Sequence, residues 1–216
     1  MYWIEKYRPQ CFDDVVGHKD IVLTMREMVE EGDIANMLLY GKQGTGKTTL
    51  AHIIGNELFG DTKDLDFIER NASQERGVEA MNVIINSGRC VSLSQSHFKI
   101  MFLDEADGIT KEAQRMLRRP METQNGSRFI IACNNIRSIL DPIISRCMLF
   151  EFKPLDNQSI ILKLKDILSK EGVDIEDREV RMIAESVKGD LRSAIIKIQQ
   201  RSYLVGDEVD RILGGL

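Results

Sequence analysis

The chain has little of what marks a secreted, zinc-bound or membrane-spanning protein. Its four cysteines (Cys11, Cys90, Cys133 and Cys147) lie far apart and form no C-x-x-C pair. That speaks against a structural zinc site and fits a reducing compartment, cytoplasmic in a prokaryote or nuclear in a eukaryote. No apolar run approaches the roughly 18 residues needed to span a bilayer. The start Met1-Tyr2-Trp3-Ile4-Glu5-Lys6 is not a signal peptide, so no membrane partner is expected. An excess of positive charge is missing too, because the formal net charge is −5. Any contact with DNA therefore needs a local basic surface, such as one assembled from several subunits. Internal repeats and low-complexity segments are also absent.

What remains is ordinary globular material: 216 residues, 43% hydrophobic and 29% charged. That is enough for one medium domain and a small one. Residues 1–154 alternate short apolar runs with helical patterns, the signature of a parallel sheet covered by helices. Five strands are expected near Met37–Tyr40, Phe67–Asn71, Lys99–Asp104, Arg128–Asn134 and Met148–Phe152. Each is short and almost continuously apolar, as strands buried on both faces should be. From Leu155 the pattern is helical only. Ile160, Ile161, Leu164, Ile167 and Leu168 recur at helical spacing, with Gly172 as a stop. A second helix is expected near Arg178–Val187, and a third after Asp190, which serves as N-cap. The fold class is thus α/β: a five-stranded parallel sheet covered by helices over residues 1–154, followed by a three-helix lid over residues 155–216.

The stretch Gly41-Lys42-Gln43-Gly44-Thr45-Gly46-Lys47-Thr48 fits G-x-x-x-x-G-K-[ST] in full. It follows the apolar run 37–40 and precedes a helical stretch opened by Thr49, which is the context the motif requires. Glycines at 41, 44 and 46 let backbone N–H groups turn inward around phosphates, and a helix N-terminus adds partial positive charge. Lys47 would reach the β and γ phosphates, while the Thr48 hydroxyl would ligate Mg²⁺. Downstream, Phe98-Lys-Ile-Met-Phe-Leu-Asp104-Glu105 is an apolar strand ending in two carboxylates. Strand C-termini face the ligand crevice of open α/β sheets. Asp104 can orient the magnesium through its waters, and Glu105 can activate the attacking water. The expected cofactors are ATP and Mg²⁺.

Further segments, spanning nearly the whole chain, resemble the replication factor C small subunits of the AAA+ sliding-clamp loader family. They are Trp3-Ile-Glu-Lys-Tyr7-Arg8-Pro9 with Phe12-Asp-Asp-Val15-Val16-Gly17, then Asn71-Ala-Ser-Gln-Glu-Arg-Gly77 and Leu103-Asp-Glu-Ala-Asp107. Ala113-Gln-Arg-Met-Leu-Arg118-Arg119-Pro-Met-Glu122, Ser145-Arg146-Cys147 and Gly189-Asp190-Leu191-Arg192 follow in the family's order. The resemblance implies that Tyr7, Arg8, Val15 and Val16 surround the adenine. It implies that Asn134 is the sensor-1 residue beside the γ-phosphate, that Arg146 acts in trans on the neighbouring subunit's site, and that Arg192 is sensor 2. It also implies partners: other clamp-loader subunits in a homo- or hetero-oligomer, a ring sliding clamp and primed double-stranded DNA.

Several positions depart from the family pattern. Lys42-Gln43 replaces a Pro-Pro pair, which leaves the loop more flexible. Gln74 replaces an aspartate. Pro120 replaces a threonine inside a helical segment, where it should kink or shorten the helix. Between Val78 and Phe98 the family's phosphate-following cations give way to Met81, Asn82, Ile84 and Asn86, with only Arg89 basic. That weakens the expectation of DNA binding. Arg115, Arg118 and Arg119 either supply an inner basic surface or form a solvated helix face. The family's chains continue into a helical collar that is expected to be absent here, so assembly is expected to rest on the ATP-bridged interfaces alone. Two alternatives to a loader stay open: a stand-alone AAA+ DNA motor or remodeller of branch-migration type, and a non-hydrolysing scaffold, against which Lys47, Glu105, Asn134 and Arg146 speak.

Overall fold

The structure, a computed structural model, describes residues 1–88, 92, 97–123 and 126–213, with 205–213 described by their backbone. Arg89 lies outside the described residues. In chain order the first elements are α1 (Trp3–Lys6), α2 (Lys19–Glu30), β1 (Met37–Gly41), α3 (Lys47–Phe59) and α4 (Lys63–Asp66). Next come β2 (Phe67–Asn71), α5 (Val78–Gly88), β3 (Lys99–Asp104), α6 (Lys111–Thr123) and β4 (Ser127–Cys133). The last are α7 (Asp141–Ile144), β5 (Met148–Phe152), α8 (Asn157–Glu171), α9 (Asp177–Ser186) and α10 (Leu191–Leu213). Among the described residues no helix is long and apolar enough to cross a membrane.

The chain divides into two compact units. The larger comprises Pro9–Lys42 and Gly46–Phe152 and holds one five-stranded, all-parallel sheet in the order β2-β3-β4-β1-β5. Alternation along the strands sends side chains to two faces, and both are covered by helices. Met37, Leu39, Phe102 and Ile130 meet Leu50, Ile53 and Ile54 of α3 and Met25 of α2. Leu38, Met101, Leu103 and Ile131 meet Met81 and Ile84 of α5 and Leu117 and Met121 of α6. These side chains are at most 3% exposed, so the strands read as unbroken apolar runs for a physical reason.

The register sets the functional edge. The last pairs are Tyr40↔Cys133 between β1 and β4 and Leu103↔Ile131 between β3 and β4. The phosphate loop, the acidic pair and Asn134 therefore all leave the sheet at its C-terminal edge, where such sheets place their ligands. The expectation that Pro120 shortens its helix needs correction, since α6 continues through it to Thr123. Proline removes its own N–H and crowds the carbonyl four residues back, yet beyond it Met121 is buried and its carbonyl accepts from Asn36 Nδ2 (3.3 Å).

The second unit comprises Met1–Arg8, Gln43–Thr45 and Lys153–Leu216. Ile160, Leu164, Ile167, Val180, Ala184, Ala194 and Ile198 form its apolar interior. Gly172, at φ +66°, caps α8 in the left-handed region as expected of a stop. Asp190 is the N-cap of α10, accepting from Ser193 N–H (2.9 Å). Arg201 grips Glu179 through two bonds (2.6 and 3.0 Å), joining α10 to α9. The division differs from a cut after residue 154. The first eight residues belong with the helices, because Trp3 is buried and its N–H donates to Gln199 Oε1 (2.9 Å). The Gln43–Thr45 turn is grouped here as well, with Leu191 N–H donating to Gly44 O (3.3 Å).

Candidate nucleotide-binding site

The site begins where β1 runs out into glycine. Gly41 has φ +145°, and a Cβ there would lie 2.1 Å from the backbone oxygen of Phe152 on the neighbouring strand. Only glycine fits. Gly46, at φ +104°, is the residue from which α3 starts. The chain thus turns directly from a buried strand into a thirteen-residue helix whose first residues are Lys47, Thr48 and Thr49. A helix N-terminus presents unpaired N–H groups and partial positive charge, which suits phosphate.

Lys47 is only 8% exposed, yet its ammonium is well supplied with acceptors. Its Nζ donates to Gly41 O (2.7 Å), Lys42 O (2.9 Å) and Asn134 Oδ1 (3.2 Å). One cation thereby ties the loop to the residue that follows β4. The next residue makes the second link, as Thr48 Oγ1 donates to Asp104 Oδ2 (2.8 Å). The other oxygen of Asp104 accepts from Glu105 N–H (2.8 Å). Glu105 is exposed and its backbone sits in the left-handed region, φ +53°. A non-glycine residue held there carries local strain, and such strain concentrates where a side chain must be aimed.

Two hydrogen-bonded pairs, Lys47–Asn134 and Thr48–Asp104, are thus held side by side by adjacent residues of α3, with Glu105 adjoining. The donor set suits a hard cation: a hydroxyl and carboxylates, which are magnesium ligands. Among the described residues no group of three or more His, Cys, Asp or Glu could hold a metal alone. A cation here would take its remaining ligands from phosphate oxygens and water, as Mg²⁺ commonly does. The thiols are not in competition. Burial, with the charge of Asp107 second, pushes Cys133 up to about 12, and burial alone does the same to Cys147.

The other expected residues divide between the two units. Val15 and Val16 are half-buried in the α/β unit, and Val15 packs on the α3 side of its core. Thr45 is buried and Arg192 exposed, both in the helical unit. Tyr7 and Arg8 are there as well. The Tyr7 hydroxyl donates to Glu171 (2.7 Å), which also accepts from Lys6 (2.8 Å), while Arg8 approaches Glu5 at 3.7 Å. Arg146 pairs with Glu122 and donates to Pro142 O (2.6 Å) and Ser145 Oγ (3.2 Å). Its guanidinium, first among the causes, holds the Glu122 carboxyl below its ordinary range.

Two residues without an expected role partner the expected ones. Glu122 is one, since a partner 24 residues away along the chain leaves no local signal. Asp107 is the other. It accepts from Asn134 N–H (2.7 Å), Asn135 N–H (2.9 Å) and Ser138 Oγ (2.9 Å). Its signal was an acid in a glycine turn three residues beyond Asp104. In the divergent helix α5, Met81 and Ile84 are buried and Asn82 and Asn86 exposed. On α6, Arg115, Arg118 and Arg119 are exposed, with Arg115 near Glu112 (3.8 Å) and Arg118 near Glu122 (3.4 Å).

Residues 37–155 match the family described as "ATPase family associated with various cellular activities (AAA)". Curated relatives include the replication factor C small subunit of Haloarcula marismortui, 42% identical over 209 residues, covering 96% of this chain and 64% of that protein. The protein of the same name from Aeropyrum pernix is 41% identical, with 99% and 67% covered. This chain thus spans 64% of the length of the first of these relatives. Among solved structures, the Thermotoga maritima RuvB Holliday junction branch migration motor superposes with a TM-score of 0.73 at 23% identity. That match covers 89% of this chain and 64% of the other, and at such identity it speaks to the fold alone. By its phosphate loop, acidic strand end and extended match to these relatives, the chain belongs to the AAA ATPase family, among the replication factor C small subunits.

Proposed function

We propose that the chain is an ATP-binding and ATP-hydrolysing subunit of a DNA sliding-clamp loader, acting with other loader subunits, a ring clamp and primed DNA. The observation that carries this reading is the constellation of Lys47, Thr48, Asp104 and Asn134 at one edge of a sheet whose sequence aligns with clamp-loader subunits. On this reading ATP is the substrate and Mg²⁺ the cofactor, held by Thr48 and by Asp104 through water. Bound there, the cation neutralises charge on the phosphates. The protein's own groups do the rest. Backbone N–H groups of residues 44–49 hold the phosphates, and Lys47 exchanges its loop carbonyls for phosphate oxygens. Glu105, solvent-facing beside Asp104, accepts a proton from the attacking water. Asn134 orients that water or the γ-phosphate.

The same reading gives Tyr7, Arg8, Val15 and Val16 the adenine, Arg192 the γ-phosphate from the helical unit, and Arg146 the neighbouring subunit's site. An arginine supplied in trans is worth about 10³–10⁵ in rate in phosphoryl-transfer enzymes, so an isolated subunit should turn over slowly. The test is steady-state ATP hydrolysis by the assembled oligomer with primed DNA, with a ring clamp, and with both. Joint stimulation by clamp and DNA supports a loader. Stimulation by DNA alone favours a motor, and absence of turnover removes the enzymatic reading.

A further inference from the structure

Asn134 stands at an unusual point in the backbone. The last ladder pair between β1 and β4 is Tyr40↔Cys133, so Asn134 is the first residue beyond the sheet's own hydrogen bonds. Its side chain is exposed, and its Oδ1 must still meet Lys47 Nζ at 3.2 Å. Something other than the ladder has to fix it. The group that does so is the Asp107 carboxylate, in the turn after β3. Oδ2 accepts from Asn134 N–H (2.7 Å), while Oδ1 accepts from Asn135 N–H (2.9 Å) and Ser138 Oγ (2.9 Å). Two backbone donors converge on one carboxylate, with the Ser138 hydroxyl shared between it and Asn135 O (2.6 Å), and hydrogen bonds to a charged acceptor are the strong ones.

The turn that carries Asp107 is itself tightly placed. Ala72 N–H donates to Asp104 O (2.8 Å), and Thr110 N–H donates to Arg76 O (3.1 Å). A Cβ on Gly108 would lie 2.8 Å from Ser73 Cα, so this turn packs against the segment after β2 at glycine distance. Asp107 therefore projects from a braced segment that continues directly from Asp104 and Glu105. The acidic strand end and the start of the Asn134 loop are thus joined through Asp107.

We propose that Asp107 is a positioning residue for Asn134: its carboxylate replaces the lost strand ladder and holds the Asn134 side chain at Lys47. The proposal rests on the ATPase reading above and deepens it. Asp107 touches no reacting atom in this account and acts only through Asn134.

The test is Asp107→Asn in the assembled oligomer. The substitution keeps the size and replaces one acceptor oxygen with an NH₂ donor facing backbone donors. Misplacing a group by about 1 Å can cost about 100-fold in rate. We expect kcat to fall on the order of 10- to 100-fold, with the Kd of a fluorescent ATP analogue unchanged within about threefold. The double variant Asp107→Asn/Asn134→Ala should be no slower than Asn134→Ala alone, because residues acting as a unit are not additive. Multiplied losses, or a Kd that rises in step with the loss of kcat, would overturn the proposal. Hydrogen exchange on the unsubstituted protein keeps the proposal testable if the variant does not fold. The Asn134 and Asn135 amides should be protected although they lie past the ladder, and rapid exchange at both sinks the idea. An unsubstituted oligomer that never hydrolyses ATP refutes the functional reading instead, whatever the exchange result.

Discussion

At the scale of single residues, the site depends on places where only one side chain will do. Gly41 is the sharpest of them, because β1 and β5 approach too closely there for any Cβ and the backbone has φ +145°. Gly41→Ala should cost about 1–3 kcal/mol of stability, seen as a lower urea midpoint with little change in slope. An unchanged midpoint would mean that the strands separate easily at this edge. The motif residues were legible because their chemistry is local: glycines, lysine and threonine in series need nothing distant to be recognised. Asp107 and Glu122 stand at the ends of recognisable segments, but their roles were not legible, since their partners are 24 to 31 residues away. Tyr7 illustrates the same limit. Its hydroxyl is committed to Glu171, 164 residues on, and this contact raises the Tyr7 pKa after the larger effect of burial.

At the scale of elements, burial on both faces made the strands easy to read. Three of the five fall at the expected residues, one is longer by a residue at its end, and one is displaced by a residue at both ends. β1 extends into Gly41, and β4 is shifted one residue earlier to Ser127, which is buried and paired with Lys99. Helix ends were legible at Gly172 and Asp190, where a capping residue stands at the boundary. Asp190 is such a residue, accepting from Ser193 N–H and Ser193 Oγ (2.9 and 2.7 Å). Asp190→Ala should cost about 1 kcal/mol and lower Tm by about 2–4 °C for a chain of this size; calorimetry that finds no shift would show the cap to be idle. Pro120 shows where propensity failed. Its local cost is real, but Met121 is buried just beyond it, and tertiary packing carries the helix three residues past the proline.

At the scale of the whole molecule, the division into an α/β unit and a helical unit follows the change in periodicity near residue 155. The assignment of residues 1–8 to the helical unit does not. It depends on Trp3 and Gln199, 196 residues apart, and no pattern in either segment points to the other. Arg146 raises the corresponding question for assembly. Within this chain it is paired with Glu122, whereas the functional reading sends it to a neighbour. Oligomers mixed from Arg146→Ala and Lys47→Ala subunits should recover part of the ATPase activity that each variant lacks alone, because hybrid interfaces pair an intact arginine with an intact phosphate loop. Assembled mixtures with no recovery would place the role of Arg146 within its own subunit.

The central claim is that a nucleoside triphosphate is held by the loop after β1 and the carboxylates that end β3. A crystal structure of the protein with a slowly hydrolysed ATP analogue and Mg²⁺ tests it most directly. The account predicts phosphates lying along residues 41–49, Lys47 Nζ moved from the Gly41 and Lys42 carbonyls onto phosphate oxygens, and the cation beside Thr48 and Asp104. Clear density for the analogue at any other place, with this loop still closed on Lys47, would contradict it.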